Sequence, residues 1–291
     1  MINLVDGKKL SEEILLNIKE KIENFNKEKR RPTLVVITVG DDPASKVYVR
    51  NKQKACEKCK INFINEIFDE SVSRKEVSEK IKELNENENV DGIILQLPVP
   101  KDICGVEQEI SVRKDVDGFN IYNLGNALYG NKNEKKLEPC TPLGIMYMLE
   151  KYNIELKGKH VVIIGRSNIV GKPLIGMLLN KDATVTSCNS HTVNIKEITS
   201  SADILITAIG KAKLVNSSYI SDKTDVIIDA GINRDETGKI CGDVDFEDIT
   251  KSWENSTKQK YITPVPGGVG PMTVASLIKN VVMCYEKNIK N

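Results

Sequence analysis

No apolar run in this 291-residue sequence approaches the 18 or so residues that a membrane-spanning helix needs, which excludes a helical membrane protein. Net charge is nearly absent as well. Forty-two basic side chains against 41 acidic ones leave +1, so neither nucleic acid nor an anionic membrane is the expected partner. The opening residues, MINLVDGKKLSEEI, lack the apolar core of a secretory leader. Seven cysteines is an odd number, and they are scattered through the chain as reduced thiols in a cytoplasm would be; a cytoplasmic protein is expected. Cys56 and Cys59 form a C-x-x-C with no second pair, inside a helical pattern, so no zinc, redox or other metal site is expected there. Histidine is scarce too. His160 and His191 both fall in the second half, which leaves the first half without a histidine for acid–base work.

The remaining sequence alternates strand-like and helix-like segments, as a parallel α/β sheet requires. Ile14, Leu15, Ile18, Ile22 and Phe25 recur at helical spacing, with Ser11 as the expected cap. Thr33–Val39 reads as a buried strand ending at Gly40-Asp41-Asp42-Pro43. A helix is expected over 44–60, a strand over 61–68, a helix over 74–84 and a strand over 90–97. The polar stretch 130–138 reads as a surface loop and boundary. Beyond it are expected a helix from Pro142 to about Tyr152, strands at 161–164, 183–188, 201–209 and 224–229, and a last helix over 272–289. That helix follows the second set of strands and is expected to pack back on the first domain. There are no repeats or low-complexity tracts. The expected division is 1–140 and 141–271, with 272–291 returning to the first domain.

His160–Pro173, HVVIIGRSNIVGKP, compresses a strand, a glycine-bearing turn and a helix start into fourteen residues. Gly165 and Gly171 permit close backbone approach, and the helix directs its free N–H groups at the turn, a site suited to phosphate; taken alone, the segment also reads as an ordinary buried strand and turn. The spacing is not G-x-G-x-x-G, because Arg166 and Ser167 occupy the middle. The next strand ends at Asn189-Ser190-His191-Thr192. No carboxylate stands there to hold a ribose 2′-hydroxyl and repel a 2′-phosphate. Arg166 and Ser190 suit that phosphate, which favours NADP over NAD. Arg166 also reads as a solvated turn residue.

Four further features carry chemistry. Tyr48 and Lys52 lie one helical turn apart, on one face. A lysine whose pKa burial has lowered can shuttle protons; the plain alternative is a solvated basic helix containing Lys46, Arg50, Lys54 and Lys58. Gln96, in Leu95-Gln96-Leu97-Pro98, closes an apolar strand at the end where parallel sheets bind ligands, or is a core glutamine bonded to a loop backbone. In KDVDGF, Asp115 and Asp117 precede Gly118. An acid there holds amide-like N–H groups of a ring or caps the turn, and the pattern alone favours the cap. Thr263–Thr273, TPVPGGVGPMT, combines stiffening prolines with glycines that admit a ligand, the makings of a rigid binding loop rather than a linker.

Taken together, YVRNK at 48–52, DGIILQLP at 91–98, residues 114–119, PCTP at 139–142, residues 165–173 and 264–273 resemble the methylenetetrahydrofolate dehydrogenase/methenyltetrahydrofolate cyclohydrolase family. The match runs collinearly over essentially the whole chain. The resemblance implies two α/β domains flanking a cleft, the second a Rossmann-like NAD(P)-binding domain. It implies NADP-dependent oxidation of 5,10-methylenetetrahydrofolate and hydrolysis of the methenyl product to 10-formyltetrahydrofolate. Lys52 matches the catalytic lysine, Tyr48 its aromatic neighbour, Gln96 its hydrogen-bonding partner and Asp117 the acid that holds the pterin. Gly165, Arg166, Ser167, Ser190 and Ile232 match dinucleotide contacts. Leu95 and Leu97 flank Gln96 on the substrate side, and Pro266, Gly267, Gly268, Val269, Gly270, Pro271, Met272 and Thr273 match the loop near the substrate. A folate substrate and a homodimer joined through the nucleotide half are expected. His191 departs from relatives with a basic residue after the serine, and some relatives use NAD. A different two-domain amino- or hydroxy-acid dehydrogenase would need an acid–base pair of its own in the first half, and a non-catalytic folate-binding scaffold would not need Lys52 or the Pro-Gly loop.

Overall fold

A computed structural model describes residues 1–25, 30–130 and 136–289. The chain begins with β1 (Ile2–Leu4), α1 (Gly7–Glu23), β2 (Thr33–Val39), α2 (Pro43–Lys58), β3 (Asn62–Phe68), α3 (Arg74–Glu86), β4 (Gly92–Leu95) and α4 (Ile121–Tyr129). It continues with α5 (Cys140–Lys151), β5 (His160–Ile164), α6 (Gly171–Leu179), β6 (Thr184–Cys188), α7 (Ile195–Ser200), β7 (Ile204–Thr207) and β8 (Val226–Asp229). The last elements are the hairpin of β9 (Asn233–Arg234) and β10 (Ile240–Cys241), then α8 (Phe246–Ser252), β11 (Lys260–Ile262) and α9 (Val269–Asn288). Two compact units result. One contains Glu12–Asn126, Asn131–Cys140 and Val274–Asn291; the other contains Met1–Ser11, Ala127–Gly130 and Thr141–Thr273.

The first unit is built on a parallel three-stranded sheet, β3-β2-β4. Every residue of β2 is buried, because helices cover both faces and a continuous apolar run is the only sequence that suits both. Leu34, Val36 and Ile94 face one cluster with Ile18, Ile278 and Val281, while Val35, Ile37, Ile93 and Leu95 face another with Val77 and Ile81. The second unit holds a parallel six-stranded sheet in the order β1-β11-β8-β7-β5-β6. Its strands β5, β7 and β8 are likewise mostly apolar and buried, and α6 follows β5 directly.

The structure corrects four expectations. Ser11 does not cap α1. The helix starts at Gly7, where Asp6 Oδ1 accepts the Lys9 N–H at 2.9 Å, and Ser11 Oγ donates to the Lys8 carbonyl inside it. Residues 1–11 belong to the six-stranded unit, because β1 pairs in parallel with β11 and Val5 N continues that ladder to Ile262 O at 2.9 Å. The Pro-Gly loop is shorter than expected, since α9 already begins at Val269 and takes Gly270 to Thr273 into its first turns. β4 spans only Gly92–Leu95; Gln96 N still donates to Ile37 O at 2.8 Å, and Pro98, without an N–H, carries the ladder no further. Residues 131–135 of the polar stretch lie outside the described residues.

Candidate active site

Asp42 starts α2 by accepting the Ser45 N–H at 2.7 Å, with Pro43 in the first helical turn. That start sets the rotation of the helix and carries Lys52, only 9 % exposed, towards the carboxyl end of β4. Its Nζ donates to Gln96 Oε1 at 3.0 Å. Gln96 is held on both sides: its backbone N–H extends the ladder to Ile37 O at 2.8 Å, and its Nε2 donates to Leu97 O at 2.8 Å. With the amide nitrogen engaged, the amide oxygen is left to face the lysine. Both readings of Gln96 therefore hold at once: a backbone-bonded glutamine that presents its oxygen to Lys52. Tyr48, one turn earlier, is 41 % exposed, and burial of the rest of the ring raises its phenol pKa.

The two aspartates of KDVDGF divide the roles that the pattern left open. Asp115 is the cap. Its Oδ1 accepts from Gly118 N at 3.1 Å and Phe119 N at 3.2 Å, and its Oδ2 from Asn120 N and Asn123 Nδ2, both at 2.8 Å. Burial raises its pKa, and these donors oppose that rise. Asp117 takes no part in that turn. The buried Cys140 thiol has its pKa pushed well above the ordinary value, first by burial and then by the Asp117 charge. The Lys52 charge acts on the same thiol in the opposite direction. Cys140 Sγ also donates to Val116 O at 3.2 Å, and Asn280 of α9 ties Val116 O (2.9 Å) to Glu138 O (3.0 Å). Sequence reasoning did not single out Cys140 or Asn280. A thiol and a helix amide carry no pattern until the fold closes around them.

In the other unit, the turn after β5 is as tight as its glycines suggest. Gly165 has φ 142°, and a Cβ there would stand 2.5 Å from the Ala208 carbonyl oxygen; at Gly171 a Cβ would run into the Gly165 backbone. Ser167 Oγ accepts from Val170 N at 3.1 Å and Gly171 N at 3.4 Å, so it shapes the start of α6 and keeps its hydroxyl hydrogen for a ligand. Arg166, Ser167 and Ser190 are exposed at the carboxyl ends of β5 and β6. Ile232, after β8, is 47 % exposed, and a Cβ on Gly270 would meet its Cδ1 at 3.5 Å. Pro266 to Thr273 lie in this unit, with Thr273 Oγ1 bonded to Thr141 Oγ1 at 3.0 Å. Exposed arginine and serine hydroxyls around a turn without obstructing side chains fit a phosphorylated dinucleotide.

Sequence reasoning also missed a pair of buried aspartates. Asp229 ends β8, and Asp243 follows the β9–β10 hairpin. Burial, more than the Asp243 charge, pushes the Asp229 pKa up to about 6 from an ordinary 3.8. The folded chain therefore binds more protons than the unfolded chain across that window, and stability falls as pH rises through it. The change is about 3 kcal/mol, at about 1.36 kcal/mol per pH unit. Urea midpoints measured from pH 4 to pH 7 should decline more steeply for the wild type than for Asp229→Asn. Parallel curves would show that the group does not titrate there.

A parallel sheet with a glycine turn at its switch point defines a nucleotide-binding α/β protein, and a separate unit holds the buried Lys52–Gln96 pair. Comparison with known proteins makes this specific. Residues 5–117 match the model of the tetrahydrofolate dehydrogenase/cyclohydrolase catalytic domain, and 139–289 match that of its NAD(P)-binding domain. The chain belongs to the tetrahydrofolate dehydrogenase/cyclohydrolase family. It is 48% identical over 286 residues to the bifunctional protein FolD of Nitrosospira multiformis, covering 98% of this chain and 96% of that one. The crystal structure of FolD from Campylobacter jejuni, a methylenetetrahydrofolate dehydrogenase/cyclohydrolase, superposes with a TM-score of 0.93 at 44% identity, covering 99% of each chain. The Trypanosoma brucei enzyme, solved with NADP cofactor and an inhibitor, gives 0.91 at 31% identity, covering 100% of this chain and 99% of that one.

Proposed function

We propose that this chain oxidises 5,10-methylenetetrahydrofolate to 5,10-methenyltetrahydrofolate with NADP and hydrolyses the product to 10-formyltetrahydrofolate. The observation that carries this reading is the buried Lys52–Gln96 hydrogen bond, in a chain whose two halves match the two domains of the family. Bound NADP supplies the hydride acceptor. Loss of hydride from a carbon between two nitrogens leaves a cation that both nitrogens stabilise, so the chain's main contribution to that step is positioning. Asp117 accepts the pterin N–H groups, Tyr48 covers the ring, and Leu95 and Leu97 contact the substrate beside Gln96. Hydrolysis adds water to the amidinium-like carbon and returns a proton to the departing ring nitrogen. Lys52, its ammonium aligned by Gln96, moves those protons.

Gly165, Arg166, Ser167, Ser190 and Ile232 hold the dinucleotide, with Arg166 and Ser190 on the 2′-phosphate. Arg166→Ala should therefore raise KM for NADP far more than KM for NAD. A lost charge-assisted contact costs about 1.5–3 kcal/mol, or roughly 10- to 150-fold. Equal effects on the two cofactors would show that Arg166 does not read the phosphate.

A 10-formyltetrahydrofolate product would supply one-carbon units to purine biosynthesis, and the free, scattered cysteines support a cytoplasmic location. The chain's assembly is a homodimer joined through the nucleotide half. Near-neutral charge leaves little net repulsion to oppose self-association. Sedimentation at micromolar concentration should give a species of twice 32.4 kDa, and a monomer alone would overturn the dimer. The test of function is an absorbance assay for methenyltetrahydrofolate, run from methylenetetrahydrofolate with NADP or NAD and then with added methenyltetrahydrofolate. NADP-dependent formation followed by accelerated decay is expected. Absence of the first signal overturns the dehydrogenase, and decay at the spontaneous rate overturns the cyclohydrolase.

A further inference from the structure

Asp229 and Asp243 do more than fill space at the carboxyl end of β8. Asp243 Oδ1 accepts from Gly210 N, Lys211 N and Asn233 Nδ2, each at 2.9 Å, and its Oδ2 accepts from Ile209 N at 2.6 Å. Three successive backbone N–H groups thus converge on one carboxylate, an arrangement that elsewhere cradles an anionic ligand. Here the chain supplies its own anion. Asp229 Oδ1 accepts from Thr207 Oγ1 at 2.9 Å, Gly231 N at 2.9 Å and Asp243 N at 3.1 Å, and its Oδ2 from Val244 N at 2.9 Å. Each of these donors is neutral. Neither acid is more than 2 % exposed.

The loops held in this way have a definite place in the sheet. β5 has β6 on one side and β7 on the other, so the strand order reverses there. A dinucleotide crossing such a point leaves one nucleotide on each side. If Arg166 and Ser190 take the phosphorylated adenosine half after β5 and β6, the nicotinamide half falls to the loops after β7 and β8. Those are the loops, 208–211 and 230–233, that Asp243 draws together. The first also abuts the phosphate turn, through Ala208 O against Gly165.

We propose that Asp229 and Asp243 are positioning residues that hold the loops after β7 and β8 in the shape that receives the nicotinamide half of NADP. The proposal rests on the assignment of Arg166 and Ser190 to the adenosine half. It predicts a divided effect. Asp243→Asn keeps the volume but replaces one acceptor oxygen with a donor that faces backbone N–H groups. NADP binding, measured by titration, should weaken at least tenfold, while 2′,5′-ADP, which carries only the adenosine half, binds within twofold of wild type. KM for NADP should rise at least tenfold, and KM for methylenetetrahydrofolate should change less than twofold. Gly231→Ala approaches the same loop independently, because a Cβ there runs into the Asp243 carboxyl group, and it should reproduce the pattern if Asp243→Asn does not fold. NADP affinity within twofold of wild type in a folded variant, or equal weakening of NADP and 2′,5′-ADP, overturns the proposal. A wild type that binds NADP but not 2′,5′-ADP overturns the adenosine-half assignment, and the proposal with it.

Discussion

Lys52→Met is expected to abolish hydrolysis of added methenyltetrahydrofolate while the protein remains folded and binds NADP. Methionine has nearly the length of lysine and no charge, so it fills the same buried space at 9 % exposure. The variant leaves Gln96 Oε1 without its partner, at about 1–3 kcal/mol, offset by relief from burying an ammonium. Activity should suffer far more. General acid–base catalysis contributes about 10²- to 10⁴-fold, and among the described residues no second basic side chain is hydrogen-bonded to Gln96. The measurement is decay of the methenyl absorbance against the spontaneous rate. Hydrolysis at the wild-type rate would remove Lys52 from the mechanism.

Asp117→Ala should impair dehydrogenase and cyclohydrolase together, because the substrate anchor proposed for Asp117 is shared by both steps. Loss of one charge-assisted hydrogen bond costs about 1.5–3 kcal/mol, and a carboxylate that accepts two N–H groups of the pterin loses both. The variant should fold. Asp117 contributes no cap to its own turn, and the buried thiol beside it loses the charge that, after burial, does most to raise its pKa. Asp115 provides the contrast, since four donors depend on its carboxylate. Folate affinity within about twofold of wild type would reject the anchor.

The strands β2, β4, β5, β7 and β8 and the helices α2, α3, α5 and α6 were legible in the sequence because burial on both faces demands continuous apolar runs, and burial on one face demands helical spacing. Local chemistry was equally legible at the turn after β5, where glycines and an arginine within seven residues allow few other uses. Element ends were read less well. Asp6, rather than Ser11, starts α1, because a cap depends on which backbone N–H groups remain unpaired, and that is decided by where the preceding strand β1 docks. The assignment of Met1–Ser11 to the six-stranded unit was hidden for the same reason: parallel pairing with β11 joins residues more than 250 positions apart. Asp115 and Asp117 look alike in KDVDGF. Only the folded loop, by directing four donors to the first, leaves the second for a ligand. Asn280 and the Asp229–Asp243 pair escaped sequence reasoning altogether, and Cys140 entered it only as part of PCTP without a role of its own, since their partners lie in other segments and a buried polar group acquires meaning only from what satisfies it. Periodicity and turn chemistry are local and can be read along the chain. Which polar side chains remain free for a ligand is a property of closure, and only the tertiary structure decides it.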